Sequence, residues 1–194
     1  MKKFKVTALV VALAMLFALP AWSAANVPTI GTGTIEIQGV NLSWHNLTEQ
    51  DVSGSQTSYG IGALLGYFVT DAIEVGLSLN FSGTSSNFGG GPSVSSSLMN
   101  YEIAGLYNIR SGKLIPFVGI GLDGISGSAS GGYSATGFGF AVAGGLRYLI
   151  VPDASINLKL SYSSLTVNPN VGDSFTMSDL GISSGMSIFV GGKK

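Results

Sequence analysis

The chain contains no cysteine, so neither disulfides nor thiolate chemistry can supply its stability or its reactivity. Charge is nearly as scarce. Asp, Glu, Lys and Arg make up 10% of the 194 residues, where ordinary soluble domains carry roughly 25%. A single histidine, His45, rules out a His/Cys zinc set, and no acidic loop has calcium-site spacing. "GGG" at 89–91 and "GIGLDG" at 119–124 lack the strand-to-helix context of a phosphate loop. Helical periodicity is missing beyond the first segment. No cofactor is implied by anything in the sequence.

The first segment, "MKKFKVTALVVALAMLFALPAWSAAN", has the layout of a secretory signal. Lys2, Lys3 and Lys5 form a basic start, Thr7 to Leu19 an apolar core closed by Pro20. Ala21-x-Ser23 and Ser23-x-Ala25 are alternative cleavage sites. The apolar run of about 13 residues is short of the about 20 that a spanning helix needs. The expected organisation is therefore a cleavable Sec signal peptide over 1–25, cut near 23–25, and one domain over 26–194. Cleavage would remove three of nine Lys and Arg and leave six against ten acids. That net charge of about −4 excludes nucleic acid as a partner, since phosphate binding requires a basic face.

What is present is period-two alternation. The pattern predicts eight strands, at about 34–45, 56–68, 73–82, 97–109, 114–125, 136–149, 155–164 and 176–190. Strands of soluble domains average about five or six residues; these reach the 9–11 or so required to cross a bilayer at a tilt. "VTDA", "RSGK" and "VPDA" are tight turns between strands 2 and 3, 4 and 5, and 6 and 7. The other connections are longer and rich in Gly, Ser and Asn. Short and long therefore alternate strictly, with both termini on the short-turn side, as in bacterial outer-membrane barrels.

Each strand has two unlike faces. One is apolar, as in Ile73, Val75, Leu77, Leu79 and Phe81. The other is small and polar, including Gly60, Gly62, Gly66, Ser78, Asn80, Asn100, Asn108, Gly119, Gly121, Asp123, Gly145 and Asn157. As a solvated surface the second set would be poorly soluble; as the interior of a narrow barrel it fits around a few large polar groups. Tyr67, Tyr107 and Tyr148 stand just before the tight turns, and Tyr59, Phe81, Tyr101, Phe138 and Tyr162 near the opposite strand ends. Two aromatic girdles about an aliphatic middle mark the two membrane interfaces. The apolar face is expected to meet lipid.

The phrases "GYFVTDAIEVGLSLNF", "IPFVGIGLDG" and "GGLRYLIVPDASINLKLSYSSL" resemble the small outer-membrane β-barrel family of Gram-negative bacteria, of the OmpX/OmpW/opacity-protein type. The resemblance spans the mature chain. It implies an all-β fold, an eight-stranded antiparallel up-and-down transmembrane β-barrel in the cell outer membrane. It further implies a monomer whose partners are outer-membrane lipids and lipopolysaccharide, with the outer-membrane assembly machinery and periplasmic chaperones acting in biogenesis. One departure stands out: such barrels finish on an aromatic, whereas Phe189-Val190 is followed here by Gly191-Gly192-Lys193-Lys194, and alternation turns Phe189 inward.

Within the lumen, Glu36, Glu74, Glu102, Arg110, Arg147 and Lys159 fall toward the periplasmic half, with Asp123 and Asp179 higher. Three acids and three bases at one depth predict an ion-pair network, because an unpaired buried charge is costly. The expected product is a packed polar lumen in a protein with a structural or surface-interaction role and no catalysis. Two alternatives remain open at this point. His45, with Glu49 or Asp51 and a loop serine, could serve a lipid A acyltransferase or deacylase. A narrow barrel could also pass a small hydrophobic solute.

Overall fold

The computed structural model describes residues 30–49, 56–86, 94–110, 112–129 and 131–192. The expected signal peptide and its cleavage sites lie outside the described residues.

Eight strands form one closed antiparallel barrel in sequence order. They are β1 (Thr34–Glu49), β2 (Gln56–Phe68), β3 (Ile73–Ser86), β4 (Val94–Asn108), β5 (Leu114–Ala129), β6 (Tyr133–Val151), β7 (Ala154–Pro169) and β8 (Phe175–Gly191). Closure through β1 and β8, with Ile35 opposite Val190 and Leu47 opposite Asp179, leaves no free sheet edge. The short-turn ends agree closely with the alternation pattern. At the other end most strands run several residues further, because Gly, Ser and Thr there continue the ladder without an apolar face to advertise it.

The tight turns are built from the residues that define them. Thr70 accepts through its hydroxyl from the N–H of Ala72 at 3.2 Å and of Ile73 at 2.9 Å, closing the β2–β3 turn. At the β4–β5 turn Gly112 takes φ 63°, a conformation that costs a residue with a Cβ.

β1 departs from simple alternation. Gln38 is opposite Leu64 and Asn41 opposite Gly62 on β2, and the same break appears against β8. Two residues, Gly39 and Val40, thus oppose one on each neighbour, which is a β-bulge. Its consequence is a change of parity. Thr34, Glu36 and Gln38 are buried below the bulge, Ser43 above it, and His45 follows on the same inward face.

Outside, the barrel is apolar. Large side chains from Ile35 on β1 to Val190 on β8 are exposed, among them the whole Ile73 to Phe81 set. Water does not tolerate a continuous apolar surface of this extent on a folded protein. Inside, the buried residues are mostly polar and charged, with Glu36 and Glu74 at 0% exposure.

Candidate functional site

The lumen is filled in layers, starting from the short-turn end. The first is an apolar ring of Phe68, Ile115, Leu149 and Phe189, with Ile30 packed among them. Phe68 and Phe189 meet edge to face, their centroids 6.4 Å apart. The packed polar lumen expected from the sequence therefore begins, at this end, with an apolar layer.

Above the ring lies a charged triad. Arg147 on β6 places Nη2 at 2.7 Å from both Glu36 Oε2 on β1 and Glu74 Oε2 on β3. Its Nη1 donates to Asn108 Oδ1, and Asn108 Nδ2 donates to Glu74 at 3.4 Å. On the other side Ser187 Oγ and Asn157 Nδ2 donate to Glu36 Oε1, the latter at 3.2 Å. The guanidinium also lies over Phe117, 4.8 Å from the ring centroid, and 5.8 Å from that of Phe68, a desolvated cation–π contact. Glycine makes the room. A Cβ on Gly145 would lie 2.4 Å from Phe117, and one on Gly66 would lie 2.0 Å from Glu74 Oε1.

The next layer is a separate pair. Lys159 Nζ donates to Glu102 Oε2 at 2.7 Å, and Ser78 Oγ donates to the same oxygen at 3.3 Å. Ala104, Leu106 and Phe117 form a small apolar patch lower on the β4–β5 wall, so the charges divide into a triad and a pair rather than one network. Higher still, Asn100 Nδ2 donates to Asp123 Oδ1 at 2.7 Å, and His45 Nδ1 stands 2.7 Å from Asp179 Oδ2. The chamber that these residues line, with Ser43, Ser161, Ser163 and Ser183, holds about 20 Å³, room for about one water. A second apolar cluster, Ile125, Leu165, Val167 and Met177 with Leu98, Ala135 and Phe175, closes the column toward the long-loop end. It floors a cavity of about 280 Å³ rimmed by Ser96, Ser128, Ser134 and Asn170.

Two expected site residues stand elsewhere. Arg110 is exposed at the short-turn mouth, where Nε donates to the Asp71 carbonyl at 2.7 Å and Nη2 to that of Ile30. It lies just past the end of β4, where the strand's alternation no longer orients it. His45, considered beside Glu49 or Asp51 near the outer interface, instead faces the lumen and meets a carboxylate from β8; the bulge in β1 turned it. The side chains of Glu49 and Asp51 lie outside the described residues. The inward aromatics Phe68 and Phe117 escaped the sequence reading, although each shares parity with glycines of the lumen set (Gly66 and Gly119).

The girdle residues lie on the outer wall. Tyr59, Tyr67, Phe81, Tyr101, Tyr107, Phe138 and Tyr148 are exposed. Tyr162 is half-buried, its hydroxyl donating to Ser178 Oγ at 3.2 Å.

A closed ring of strands with an apolar exterior, aromatics at two heights and charges paired within is a membrane-spanning β-barrel. The model of the outer membrane protein beta-barrel domain matches residues 9–187; the chain belongs to that family and resides in the outer membrane. No curated protein sequence matches it. Among solved structures it is similar to Neisserial surface protein A (NspA), with 16% identity and a TM-score of 0.64 over 80% of this chain and 98% of that one. OprG from Pseudomonas aeruginosa matches at 11% identity and a TM-score of 0.61, over 85% of this chain and 99% of that one. Ail, the attachment invasion locus protein of Yersinia pestis, solved with the heparin analogue sucrose octasulfate, matches at 15% identity and a TM-score of 0.50, over 81% and 99%. At these identities the likeness establishes the fold alone.

Proposed function

We propose that the protein is a monomeric, non-conducting barrel that acts as a structural or surface-interacting element of the outer membrane and carries no catalytic step. The observation that supports this is the occupied lumen. From one mouth to the other it holds an apolar ring, the Arg147 triad, the Glu102–Lys159 pair, the His45–Asp179 pair and a second apolar cluster. An eight-stranded barrel has room for its own side chains and little else. An ion would have to displace paired, desolvated charges to pass.

The placement of His45 speaks against a lipid-modifying enzyme. A lipid acyl ester would have to leave the membrane and enter a chamber of about 20 Å³ to reach the imidazole. A second reading, binding of a small apolar solute, is favoured by the cavity of about 280 Å³ at the outer end. Its passage to the periplasm is opposed by the charged layers beneath.

The ligand seen with Ail does not carry over to this chain. A polysulfate needs cations, and none of the nine Lys and Arg falls in the connections at the outer end, 50–55, 87–93, 130–132 and 170–174, which hold Asp51 and Asp173. Contact with lipopolysaccharide phosphates would accordingly run through bridging divalent ions rather than loop lysines. Two measurements test the proposal. In planar bilayers the purified barrel should give no ion-conducting steps; a steady ohmic conductance would overturn the sealed lumen. Sucrose octasulfate should produce no saturable binding in calorimetry, and a low-micromolar isotherm would contradict the charge argument.

A further inference from the structure

The periplasmic mouth is closed by a piece of chain that belongs to no strand. Ahead of β1, Gly33 adopts φ 86° and its N–H donates to the Phe68 carbonyl at 2.8 Å, turning the chain in across the opening. Thr34 N donates to the Gly31 carbonyl at 2.9 Å, and Gly31 N donates to Thr34 Oγ1 at 2.9 Å. The turn is therefore locally bonded, with the single Gly33 bond tying it to the end of β2. It carries Ile30 into the centre of the Phe68, Ile115, Leu149 and Phe189 ring, where 3% of the side chain stays exposed. Ile30 and Arg147 line one small void of about 10 Å³, so the stopper sits directly beneath the charged triad.

Two side chains from neighbouring turns hold it there. Asp71 Oδ1, from the β2–β3 turn, accepts from Thr32 N at 2.9 Å and from Thr32 Oγ1 at 3.0 Å. Arg110, from the end of β4, donates to the carbonyls of both Ile30 and Asp71. Both are exposed. The side chains that latch the segment from outside thus belong to exposed residues at the rim, while the wall above is held by an unbroken ring of strands. Exposed contacts open at far lower cost than a strand ladder.

We propose that residues 30–33 are a hinged stopper for the periplasmic mouth, with Ile30 as the plug and Arg110 and Asp71 as its latch. Releasing the latch admits water to the Arg147 triad while the barrel stays closed. This goes beyond the sealed lumen proposed above, because it assigns one end of the seal to a movable segment, and it can fail while the barrel remains non-conducting.

The absence of cysteine allows a clean test. Ser155 is fully buried on the inward face at this end of β7, and Ser163 is buried in the outer half of the same strand. In nanodiscs, Ser155→Cys and Ser163→Cys would be exposed to 2-aminoethyl methanethiosulfonate and labelling followed by mass spectrometry. Each would be measured alone and with Ile30→Gly or Arg110→Ala, on protein that retains heat-modifiable gel mobility. The proposal expects both mouth variants to speed labelling at position 155 at least tenfold and to leave position 163 unchanged. Unchanged labelling at 155, equal acceleration at both sites, or acceleration by Ile30→Gly without Arg110→Ala would overturn it. Should Arg110→Ala fail to fold, Asp71→Ala replaces it as the latch variant.

Discussion

Arg147 carries the electrostatics of the lower lumen, because a guanidinium is the one side chain that can satisfy two carboxylates and an amide in a single plane. Removing it would leave Glu36 and Glu74 buried without their cation. Arg147→Ala is therefore expected to cost about 3–5 kcal/mol, read as a lower urea midpoint for loss of the heat-modifiable band. Lys159→Ala should cost less, since Lys159 and Glu102 are 17% and 9% exposed and water can reach the carboxylate left behind. The triple change Arg147→Leu, Glu36→Gln, Glu74→Gln should recover most of the loss, as apolar or neutral replacements of buried ion pairs often do. Midpoints in the reverse order would mean the triad is not what holds this layer. The sequence showed that these charges point inward. It could not show which pair with which, because β1, β3 and β6 are not neighbours in the sheet and the partners meet only across the closed lumen.

At the scale of the strand, alternation specified nearly everything except β1. Parity runs unbroken from Glu74 to Asn80 on β3 and from Ser155 to Val167 on β7, so faces and register could be read directly. In β1 the bulge between Gln38 and Asn41 inserts one residue, and counting by twos from Glu36 would place His45 outward in lipid. The only sequence sign of the bulge is Gly39, one glycine among 29. Deleting Val40 tests the point. It would remove the extra residue and leave strict alternation from Glu36 to Ser43 and His45, which still face the lumen, whereas deleting Leu77 from the unbroken β3 would move every following side chain to the other face. The Val40 deletion should still yield the heat-modifiable form in dimyristoylphosphatidylcholine vesicles, and the Leu77 deletion should lose it. Deleting one residue from the 170–174 connection should leave the yield within about twofold, because loops absorb length changes at little cost. Loss of the heat-modifiable form on deleting Val40 would show that the bulge does more than set which face follows it.

At the scale of the molecule, the positions of the girdles set how thick a membrane the barrel can span. On β2 the girdle residues are Tyr59 and Tyr67, and on β6 they are Phe138 and Tyr148. At about 3.3 Å per residue and a tilt of about 40°, these separations give an apolar band roughly 20–25 Å high. The strands themselves are longer, from 13 residues in β2 to 19 in β6, and the excess stands on the long-loop side, where Ser97, Ser128 and Ser134 are exposed. The band is shorter than the core of about 30 Å in a typical bilayer, and mismatch costs a fraction of a kcal/mol per Å. Spread over a whole barrel perimeter, a gap of about 5–10 Å is enough to disfavour insertion. Folding from urea should accordingly be faster and more complete in dilauroylphosphatidylcholine vesicles than in dioleoylphosphatidylcholine vesicles, with the heat-modifiable band as the readout. Replacing Tyr67, Tyr107 and Tyr148 together by Leu should narrow the difference, because the lower interface would lose the hydroxyls that hold it at a fixed depth. Equal folding of the parent in both lipids would place the apolar boundary beyond the tyrosines, in the residues of the tight turns.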